Sequence, residues 1–463
     1  MFLLPGYHAG GSRMDVDLTP PDFPGGCQPV VAANMNAVTG KRMAESMSRL
    51  GGLGILPQDM ALPTVERIAA HVKSAPLRCD TALTIGSAAS LRDVRGLIHK
   101  RAHGMVVVVD DRHRPVGLVT HADLRDVDQY TPVHEVMARS PLTLAAGTAH
   151  REAFRFLYDR RLKAVPIVNP DGGLRGVLTR EDAIRFDLLQ PSLDGQGRLM
   201  VAAAVGISSD AVERAAALHG MGVDVLVLDT AHGHQRRMIE VLQQVRARLG
   251  PDVTLVAGNV CTPQGTADLC AAGADIIKVN VGPGAMCTTR MKTGVGRPTF
   301  TAALACAAAA REHGRHIWAD GGVKNPRDVA LYLAAGASRV MVGTMLAGTY
   351  EAPGDLKEDS TGRYKENYGM ASARAVQNRS AALDPFAQAQ KALFREGIST
   401  SRVYLRPGLE SVGAMIVDIV TGVQSSFTYI GARTVDAFHE QAVVGVQSTA
   451  GYSEGKARPV PRS

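Results

Sequence analysis

The chain has 463 residues, of which 45% are hydrophobic and 21% charged, as expected for a globular protein with two or three domains. Charges or glycines interrupt its longest apolar stretches and its start lacks the basic and apolar regions of a signal peptide, so we expect no membrane span and no secretion. The net charge of +7 suits an anionic small substrate, and no basic run with interleaved aromatic residues supports a nucleic acid partner.

Eight short apolar runs recur between amphipathic, helix-like segments, and each run closes in Gly, Asn, Asp or Pro. Such near-continuous apolar runs are typical of parallel strands that are buried on both faces. Eight strands that alternate with helices predict an α/β fold, a closed (β/α)8 TIM barrel. The rival is an open doubly wound sheet, but no GxGxxG loop follows the first run. The predicted strands are residues 30–34, 53–57, 200–206, 225–229, 254–258, 276–280, 316–320 and 339–343.

The interval between the second and third predicted strands, about residues 75 to 195, contains an internal repeat. Its copies, "VVVVDDRHRPVGLVTHADL" and "VPIVNPDGGLRGVLTREDA", align at a constant offset of 59 residues. We predict a strand–turn–strand–helix unit in each copy, with Thr120 and Asp123 at one helix start and Thr179 and Asp182 at the other. These side chains either only cap the helices or help to bind an anion there.

The pattern G-h-x-[ST]-x-x-D that closes each copy resembles the CBS motif, and the pair resembles one Bateman module. The resemblance implies that Asp123 and Asp182 contact a nucleotide ribose and that Thr120 and Thr179 face its phosphates. We therefore expect ATP or GTP to bind this pair as an allosteric effector. The predicted domains are residues 1–74, the first part of the barrel, 75–192, the CBS tandem, and 193–463, the rest of the barrel with a catalytic loop and a flap.

Polar residues and glycines follow several of the predicted strands. Barrel enzymes keep their sites at the C-terminal ends of the strands and bind phosphate in the loops after strands seven and eight. Here those loops offer a carboxylate for a ribose diol and bare backbone N–H groups for a phosphate, although the glycines could also serve only tight turns. The residues at this mouth are Asp229, Asn259, Asp320, Gly321, Gly322, Gly343 and Thr344.

The loop after the sixth strand, "GPGAMCTTR", contains Cys287. A mobile, polar and basic loop favours a thiolate nucleophile, whereas Cys306, in "LACAAAA", has the surroundings of a packing thiol. The alternative is a loop cysteine with no function. The six cysteines show no metal-binding spacing, which indicates a reducing compartment, and we expect a cytoplasmic protein.

The segments "GPGAMCTTR", "LDTAHGH", "AGNV", "ADGGV" and "YGMAS", together with the inserted pair, resemble the IMP dehydrogenase/GMP reductase family over nearly the whole chain. The resemblance implies a purine 5′-mononucleotide substrate, attack by Cys287 on carbon 2 of the purine to give a thioimidate, and hydride transfer between that carbon and a nicotinamide. It also implies a K⁺ ion and a homotetramer or octamer.

The resemblance assigns roles residue by residue. It implies that the nucleotide contacts Met35, Asp320, Gly321, Gly322, Gly343, Thr344, Gly369, Met370, Ala371 and Ser372. It implies that the nicotinamide cofactor contacts Asp229, Thr230, Ala231, Asn259, Gly282 and Lys292. It implies that K⁺ binds the backbone carbonyls of Gly282, Gly284 and Cys287.

Two reactions share this scaffold, and they need different second steps. In the family, the dehydrogenase activates water with an Arg-Tyr pair on the flap, whereas the reductase protonates the leaving amine with a threonine and a flap glutamate. This sequence has no Arg-Tyr dipeptide between "YGMAS" and "REGIS", but it has Thr289, Glu396 and a reductase-like "KTGVG" at Lys292. We expect NADPH-dependent reductive deamination of GMP, with Cys287, Thr289 and Glu396 as the catalytic residues.

Several departures keep other interpretations open. The family's serine in "GPGS" is Ala285 here, Gln58 replaces a lysine of reductases, and Asn36 replaces an aspartate. The CBS insert is more usual in dehydrogenases. The alternatives are therefore an IMP dehydrogenase, which converts IMP and NAD to XMP, and a nucleotide sensor without turnover.

Overall fold

The computed structural model describes residues 1–370, 372, 384–391, 393, 397, 398 and 400–456. Two of the predicted site residues, Ala371 and Glu396, lie outside these described residues. Among the helices that are described, none combines the length and the apolar character that a membrane crossing requires.

The strands of the described residues fall into one barrel and several small sheets. In chain order they are β1 (Phe2–Leu3), β2 (Val30–Ala32), β3 (Leu53–Leu56), β4 (Thr84–Gly86), β5 (Met105–Val109), β6 (Pro115–Thr120), β7 (Ala138–Arg139), β8 (Leu144–Ala145), β9 (Ala164–Val168), β10 (Leu174–Thr179), β11 (Ala202–Val205), β12 (Val225–Asp229), β13 (Thr254–Val260), β14 (Ile276–Val279), β15 (His316–Asp320), β16 (Arg339–Val342), β17 (Lys357–Asp359), β18 (Gly362–Asn367), β19 (Ser401–Tyr404) and β20 (Val444–Gly445).

The helices of the described residues mostly follow the barrel strands and cover the outside of the barrel. In chain order they are α1 (Lys41–Arg49), α2 (Leu62–Ser74), α3 (Leu91–Ile98), α4 (Val133–Val136), α5 (His150–Asp159), α6 (Arg180–Leu188), α7 (Ala211–Gly220), α8 (Arg236–Leu249), α9 (Pro263–Ala271), α10 (Thr289–Thr293), α11 (Thr299–Glu312), α12 (Pro326–Ala334), α13 (Thr344–Ala347), α14 (Pro385–Lys391), α15 (Val412–Ile430), α16 (Val435–Gln441) and α17 (Thr449–Glu454).

Eight parallel strands close into a barrel in the order β2, β3, β11, β12, β13, β14, β15 and β16. The first and last of them pair directly, with Val30 opposite Val340. β3 pairs with β11 across the long insert, with Ile55 opposite Ala202. The prediction of a (β/α)8 barrel is therefore confirmed, and the open doubly wound sheet is wrong.

The barrel strands are buried on both faces, as their continuous apolar sequences predict. Every residue of β11 and β14 is buried, and Trp318 of β15 is buried completely. The surrounding helices bury one stripe each. In α8, for example, Met238, Val241, Leu242 and Val245 face the core at the helical period.

The insert between β3 and β11 forms two small sheets, β4–β7 and β8–β10. In each sheet a long hairpin repeats the same unit, because β5 pairs antiparallel with β6 and β9 pairs antiparallel with β10. The second copy shares the barrel's core, since Leu157, Val165 and Phe186 belong to the same apolar cluster as the barrel strands. The first copy has a separate core around Val94, Val106 and Val119. The domain boundaries at 74/75 and 192/193 remain a proposal.

One predicted element of the insert is wrong. Residues 180–188 form the expected helix α6 after Thr179, but the residues after Thr120 form turns rather than a helix. Asp126 adopts a left-handed φ of 54°, which interrupts helical backbone. The guanidinium of Arg95 on α3 also binds the carbonyls of Leu124 and Val127, at 2.5 and 3.2 Å, and so occupies acceptors that a helix would use.

A buried network of charges joins the barrel to the insert. Glu45 of α1 has no exposed side-chain surface and forms ion pairs with Arg49 and Arg101. Both guanidinium groups also contact Asp80, at 2.9 and 2.6 Å. Burial alone would raise the pKa of Glu45, yet Arg101 and Arg49 hold it well below its usual range. The carboxylate is thus ionised and compensated inside the protein.

We expect Glu45→Gln to lower the free energy of unfolding by about 3–5 kcal/mol, because the two buried guanidinium groups then share only the negative charge of Asp80. The midpoint of urea unfolding measures this loss. The matched control is Glu240→Gln, which breaks the exposed pair Arg236–Glu240 with the same four-residue helical spacing. That change should cost at most about 0.5 kcal/mol. Equal shifts in the two variants would show that the buried network adds nothing.

Candidate active site

The C-terminal ends of the barrel strands surround one cavity of about 570 Å³. Parallel strands that close into a barrel all end at the same mouth, so the residues just after them are brought together regardless of their separation in sequence. Met35 follows β2, Ala231 follows β12, and Asn259 lies near the end of β13. Asp320 ends β15 and Gly343 follows β16. All five line this cavity.

Cys287 lies in the loop after β14, at the edge of the cavity. Its thiol donates to Oγ1 of Thr289 at 3.2 Å, and its backbone N–H closes a tight turn on the carbonyl of Gly284 at 2.9 Å. Arg290 secures the loop from below, because its Nε donates to the carbonyl of Val281 at 3.0 Å and its guanidinium binds the carbonyl of Arg297. The thiol and the Thr289 hydroxyl are therefore held next to each other at the mouth.

Two residues that directly follow Glu396 in sequence form backbone contacts with the cysteine loop. Gly397, which directly follows Glu396 in sequence, forms an isolated antiparallel bridge with Cys287. Ile398 donates its N–H to the carbonyl of Met286 at 2.9 Å and accepts from the N–H of Gly369 at 3.0 Å. These bonds connect the cysteine loop to the Gly369 segment, which follows β18.

Burial makes three of the other cysteines poor nucleophiles at neutral pH. Burial raises the pKa of Cys27 to about 11 and that of Cys79 to about 12. Cys306, the predicted packing thiol, is fully buried in α11, and its pKa is also raised by burial.

Two carboxylates at the mouth share one buried ammonium. Nζ of Lys278 lies 3.0 Å from Oδ1 of Asp229 and 2.5 Å from Oδ2 of Asp320. Burial would lower the pKa of Lys278, but the two carboxylates outweigh that effect and raise it, so the ammonium remains charged. Asn34 and Asn259 donate their amide N–H groups to Asp229 and Asp320, at 2.6 and 2.8 Å.

The loops after β15 and β16 provide backbone N–H groups and one cation. Gly322 has a left-handed φ of 77°, and a Cβ there would lie 3.0 Å from the hydroxyl of Tyr332, so the turn depends on glycine. Asp328 fixes the next part of the loop by accepting from the N–H of Lys324 at 2.9 Å. Among the cavity-lining residues that the structure describes, Lys324 is the only cationic one.

The structure brings most of the predicted site residues together around the cavity. Those that line it are Met35, Ala231, Asn259, Gly282, Gly284, Cys287, Thr289, Asp320, Gly321, Gly322, Gly343, Thr344, Gly369 and Met370. Four other predicted residues lie at the same mouth or in the same loops without lining it, namely Asp229, Thr230, Lys292 and Ser372.

The predicted effector residues of the insert bond to one another. Thr120 donates its N–H and hydroxyl to Asp123, at 2.7 and 2.8 Å. The hydroxyl of Thr179 donates to Asp182 at 2.7 Å, and Arg185 also contacts Asp182, at 2.9 Å. Capping of α6 explains the Thr179 contact, whereas the Thr120 contacts close a turn, and nucleotide binding at the insert stays a prediction.

The three sequence departures occupy distinct places. Ala285 lines the cavity and leaves the loop without the hydroxyl of a serine. The amide N–H of Asn36 donates to the carboxylate of Asp59 at 2.8 Å. The neutral amide avoids the repulsion that an aspartate at position 36 would have with Asp59. The side-chain oxygen of Gln58 lies next to Gly206, because a Cβ there would be only 2.7 Å from it.

The residues present suit a nicotinamide cofactor and a monovalent cation. The Oδ1 atom of Asn259 is buried without a hydrogen-bond partner and can accept from a carboxamide N–H. Carbonyl oxygens are the ligands that hard cations prefer, and that of Gly284 retains a lone pair beside its bond to Cys287. Both assignments remain proposals.

Sequence reasoning missed Lys278, Lys324, Asn34 and Asn280. Lys278 interrupts an otherwise apolar strand, and a lone charge in such a run was the signal that could have identified it. Asn280 directly follows β14 and donates to Thr299 and to the carbonyl of Asp320, at 2.6 and 3.1 Å. The others carry no pattern that separates them from ordinary loop residues.

Comparison with known proteins identifies the group to which this architecture belongs. A model of the IMP dehydrogenase / GMP reductase domain matches residues 27–458. The chain belongs to the IMP dehydrogenase/GMP reductase family. Within this family it is 51% identical to GMP reductase of Mycobacterium tuberculosis over 462 residues, covering 100% of this chain and 96% of that protein.

Other relatives include both activities of the family. Inosine-5′-monophosphate dehydrogenase of Aquifex aeolicus is 37% identical over 439 residues, covering 93% of this chain and 88% of that protein. The solved structure of a GMP reductase from Trypanosoma brucei in complex with guanosine 5′-monophosphate is similar with a TM-score of 0.69 and 30% identity. It covers 99% of this chain and 96% of that one.

We expect Lys324→Met to weaken the binding of a purine 5′-monophosphate by about 10- to 100-fold, since a charge-assisted hydrogen bond contributes roughly 1.5–3 kcal/mol. Calorimetry with GMP and with guanosine separates the cause, because the nucleoside has no phosphate and its affinity should not change. Lys163→Met, at an exposed lysine of the insert, is the control. Equal losses of affinity for guanosine and GMP would show that Lys324 does not contact the phosphate.

Proposed function

We propose that this protein is a GMP reductase that converts GMP, NADPH and two protons to IMP, NADP⁺ and NH₄⁺, as in purine salvage. The observation that carries the proposal is the identity of 51% to a GMP reductase over the whole chain, against 36–37% for the dehydrogenases. The chain also lacks any tyrosine between Met370 and Ser401, where the dehydrogenase chemistry would need one.

The first step requires a nucleophile and an acid. The Cys287 thiolate attacks carbon 2 of the guanine ring, the bond from that carbon to the exocyclic amine breaks, and the amine leaves as ammonia after protonation. Thr289 suits the proton transfer, because its hydroxyl lies 3.2 Å from the Cys287 sulfur. Glu396 is proposed to supply the proton through Thr289, and Gly397 beside it already pairs with Cys287.

The second step returns the enzyme to its starting state. A nicotinamide cofactor, when bound, would supply the hydride that carbon 2 accepts. Cys287 would then leave that carbon as a thiolate as the carbon–sulfur bond breaks. Asn259 would orient the nicotinamide by accepting a hydrogen bond from its carboxamide N–H at the unpartnered Oδ1 atom. The Arg290 contacts hold the cysteine loop in one place through both steps.

The substrate is proposed to lie along the loops after β15, β16 and β18. Asp320 accepts from the ribose hydroxyls, and the N–H groups of Gly322, Gly343 and Thr344 face the phosphate. Gly369 and Met370 hold the base next to Cys287. Because Ala285 offers no hydroxyl, the phosphate depends on backbone donors and on Lys324.

The remaining features concern regulation and assembly. ATP or GTP is proposed to bind the insert, K⁺ to bind the carbonyls of Gly282, Gly284 and Cys287, and the chain to form a tetramer or octamer. The second copy of the insert packs directly on the barrel core, which gives a physical route from an effector to the barrel. IMP dehydrogenase activity is the second candidate and a sensor without turnover is the third.

We expect nicotinamide absorbance to fall when the protein is mixed with GMP and NADPH, and Cys287→Ala to abolish the change. The same instrument tests the second candidate, because IMP with NAD would make the absorbance rise. A rise with IMP combined with no fall with GMP would refute the reductase proposal. A protein that binds GMP and turns over neither pair would be a sensor.

Thr289→Val should slow ammonia release by about 10²–10⁴-fold while GMP affinity changes little, because valine keeps the shape of threonine but cannot transfer a proton. Glu396→Gln should have the same effect. Single-turnover kinetics and calorimetry give the two quantities separately. Thr293→Val, which removes a hydroxyl that donates to the carbonyl of Thr289 and accepts from the N–H of Val295, is the control. A collapse of GMP affinity with an unchanged chemical step would make both residues binding residues.

A further inference from the structure

A continuous chain of polar contacts crosses the mouth of the barrel and is centred on Lys278. Its ammonium contacts Asp229 of β12 and Asp320 of β15, at 3.0 and 2.5 Å, and its side chain is only 3% exposed. Asn34 continues the chain beyond Asp229 and Asn259 continues it beyond Asp320. The chain thus links residues at the ends of five barrel strands, two of them carrying the carboxylates assigned to cofactor and substrate.

The charges of this chain do not cancel. Two carboxylates meet one ammonium, so the group keeps a net negative charge at a half-buried site. Because both carboxylates contact the same nitrogen, they lie close enough for two negative charges to repel each other. The ammonium between them offsets that repulsion.

We propose that Lys278 is a positioning residue that keeps Asp229 and Asp320 ionised and oriented as one unit, so that the substrate side and the cofactor side of the site depend on a single cation. This inference rests on the proposed function, because it takes Asp320 to accept from the ribose of GMP. A carboxylate can accept from both hydroxyls of a ribose diol, whereas a protonated carboxyl has lost part of that capacity.

The other titratable groups near this mouth include two histidines in the loop after β12, His232 and His234, whose neighbour Gly233 donates its N–H to the carbonyl of Asn259. They are the same in every variant, so their titration also cancels in a ratio to the wild type. Asn34 and Asn259 are neutral amides, and Asn280, which faces Asp320 from the end of β14, is neutral as well. Among the described residues that line the cavity, the remaining titratable side chains are the Cys287 thiol and Lys324. A pH dependence that appears only when Lys278 is changed can therefore be assigned to the carboxylate pair.

The test is GMP binding by calorimetry, without cofactor, from about pH 6 to pH 9 in the wild type and in Lys278→Met. Dividing the variant's dissociation constant by that of the wild type at each pH removes the titration of the GMP phosphate. We expect this ratio to be at least about 10-fold larger at pH 6 than at pH 9, because one carboxyl takes up a proton when the ammonium is gone. Lys278→Arg keeps the charge and should give a constant ratio.

A second variant separates electrostatics from packing. Asp229→Asn with Lys278→Met leaves a single carboxylate, and we expect its ratio to be independent of pH. A constant ratio in Lys278→Met, or a steep one in the double variant, overturns the proposal. If only the single variant fails to fold, repulsion between the carboxylates is supported. If both fail, Lys278 serves stability and the proposal is overturned.

The outcome is distinguishable from failure of the proposed function. A wild-type protein that does not bind GMP at any pH refutes the proposed reaction itself. If the wild type binds GMP and the ratio of the Lys278→Met dissociation constant to that of the wild type is the same at every pH, only the role of Lys278 is refuted.

Discussion

Closure of the parallel sheet between β2 and β16 is the constraint on which the site depends. Once Val30 pairs with Val340, every barrel strand ends at one mouth, and side chains that are far apart in sequence must meet there. Asn34 and Asp229 are 195 residues apart, yet they form a hydrogen bond of 2.6 Å. An open sheet would lack the Val30–Val340 pairing and the hydrogen bond across the mouth between Asn34 and Asp229.

The two ends of the barrel use buried charge differently. At the end away from the cavity, Arg339 and Asp22 are both fully buried, and Asp22 also accepts from Trp318 and Ser338. That carboxylate is saturated by donors, as expected of a structural group. At the mouth, Asp229 and Asp320 share a single ammonium, and Asn259 keeps an unpartnered oxygen. The unpartnered oxygen of Asn259 lies where ligands are proposed to bind, on the face that carries the active site in barrel enzymes. At the other end, Nη1 and Nη2 of Arg339 also lack a hydrogen-bond partner among the described residues.

Much of this fold could be predicted from the sequence, because strands buried on both faces leave continuous apolar runs and all eight were placed within a few residues. The cysteine loop was also predictable, since its glycines and polar neighbours differ from the surroundings of Cys306. The missing helix after Thr120 could not be predicted, because Arg95, which occupies the carbonyls there, comes from another element. Lys278 was missed for the same reason: the partners of a lone charge in an apolar strand are known only once the barrel is closed.

The central claim is that the protein removes the exocyclic amine of GMP at the expense of a hydride, and the most direct test is a product balance. GMP labelled with a nitrogen isotope in its exocyclic amine is mixed with the protein and NADPH. The amounts of labelled ammonia and of NADP⁺ are then measured in the same sample and compared. The account predicts equal amounts of the two, and none of either with Cys287→Ala. Labelled ammonia without NADP⁺ would indicate simple hydrolysis, and the absence of both would contradict the account.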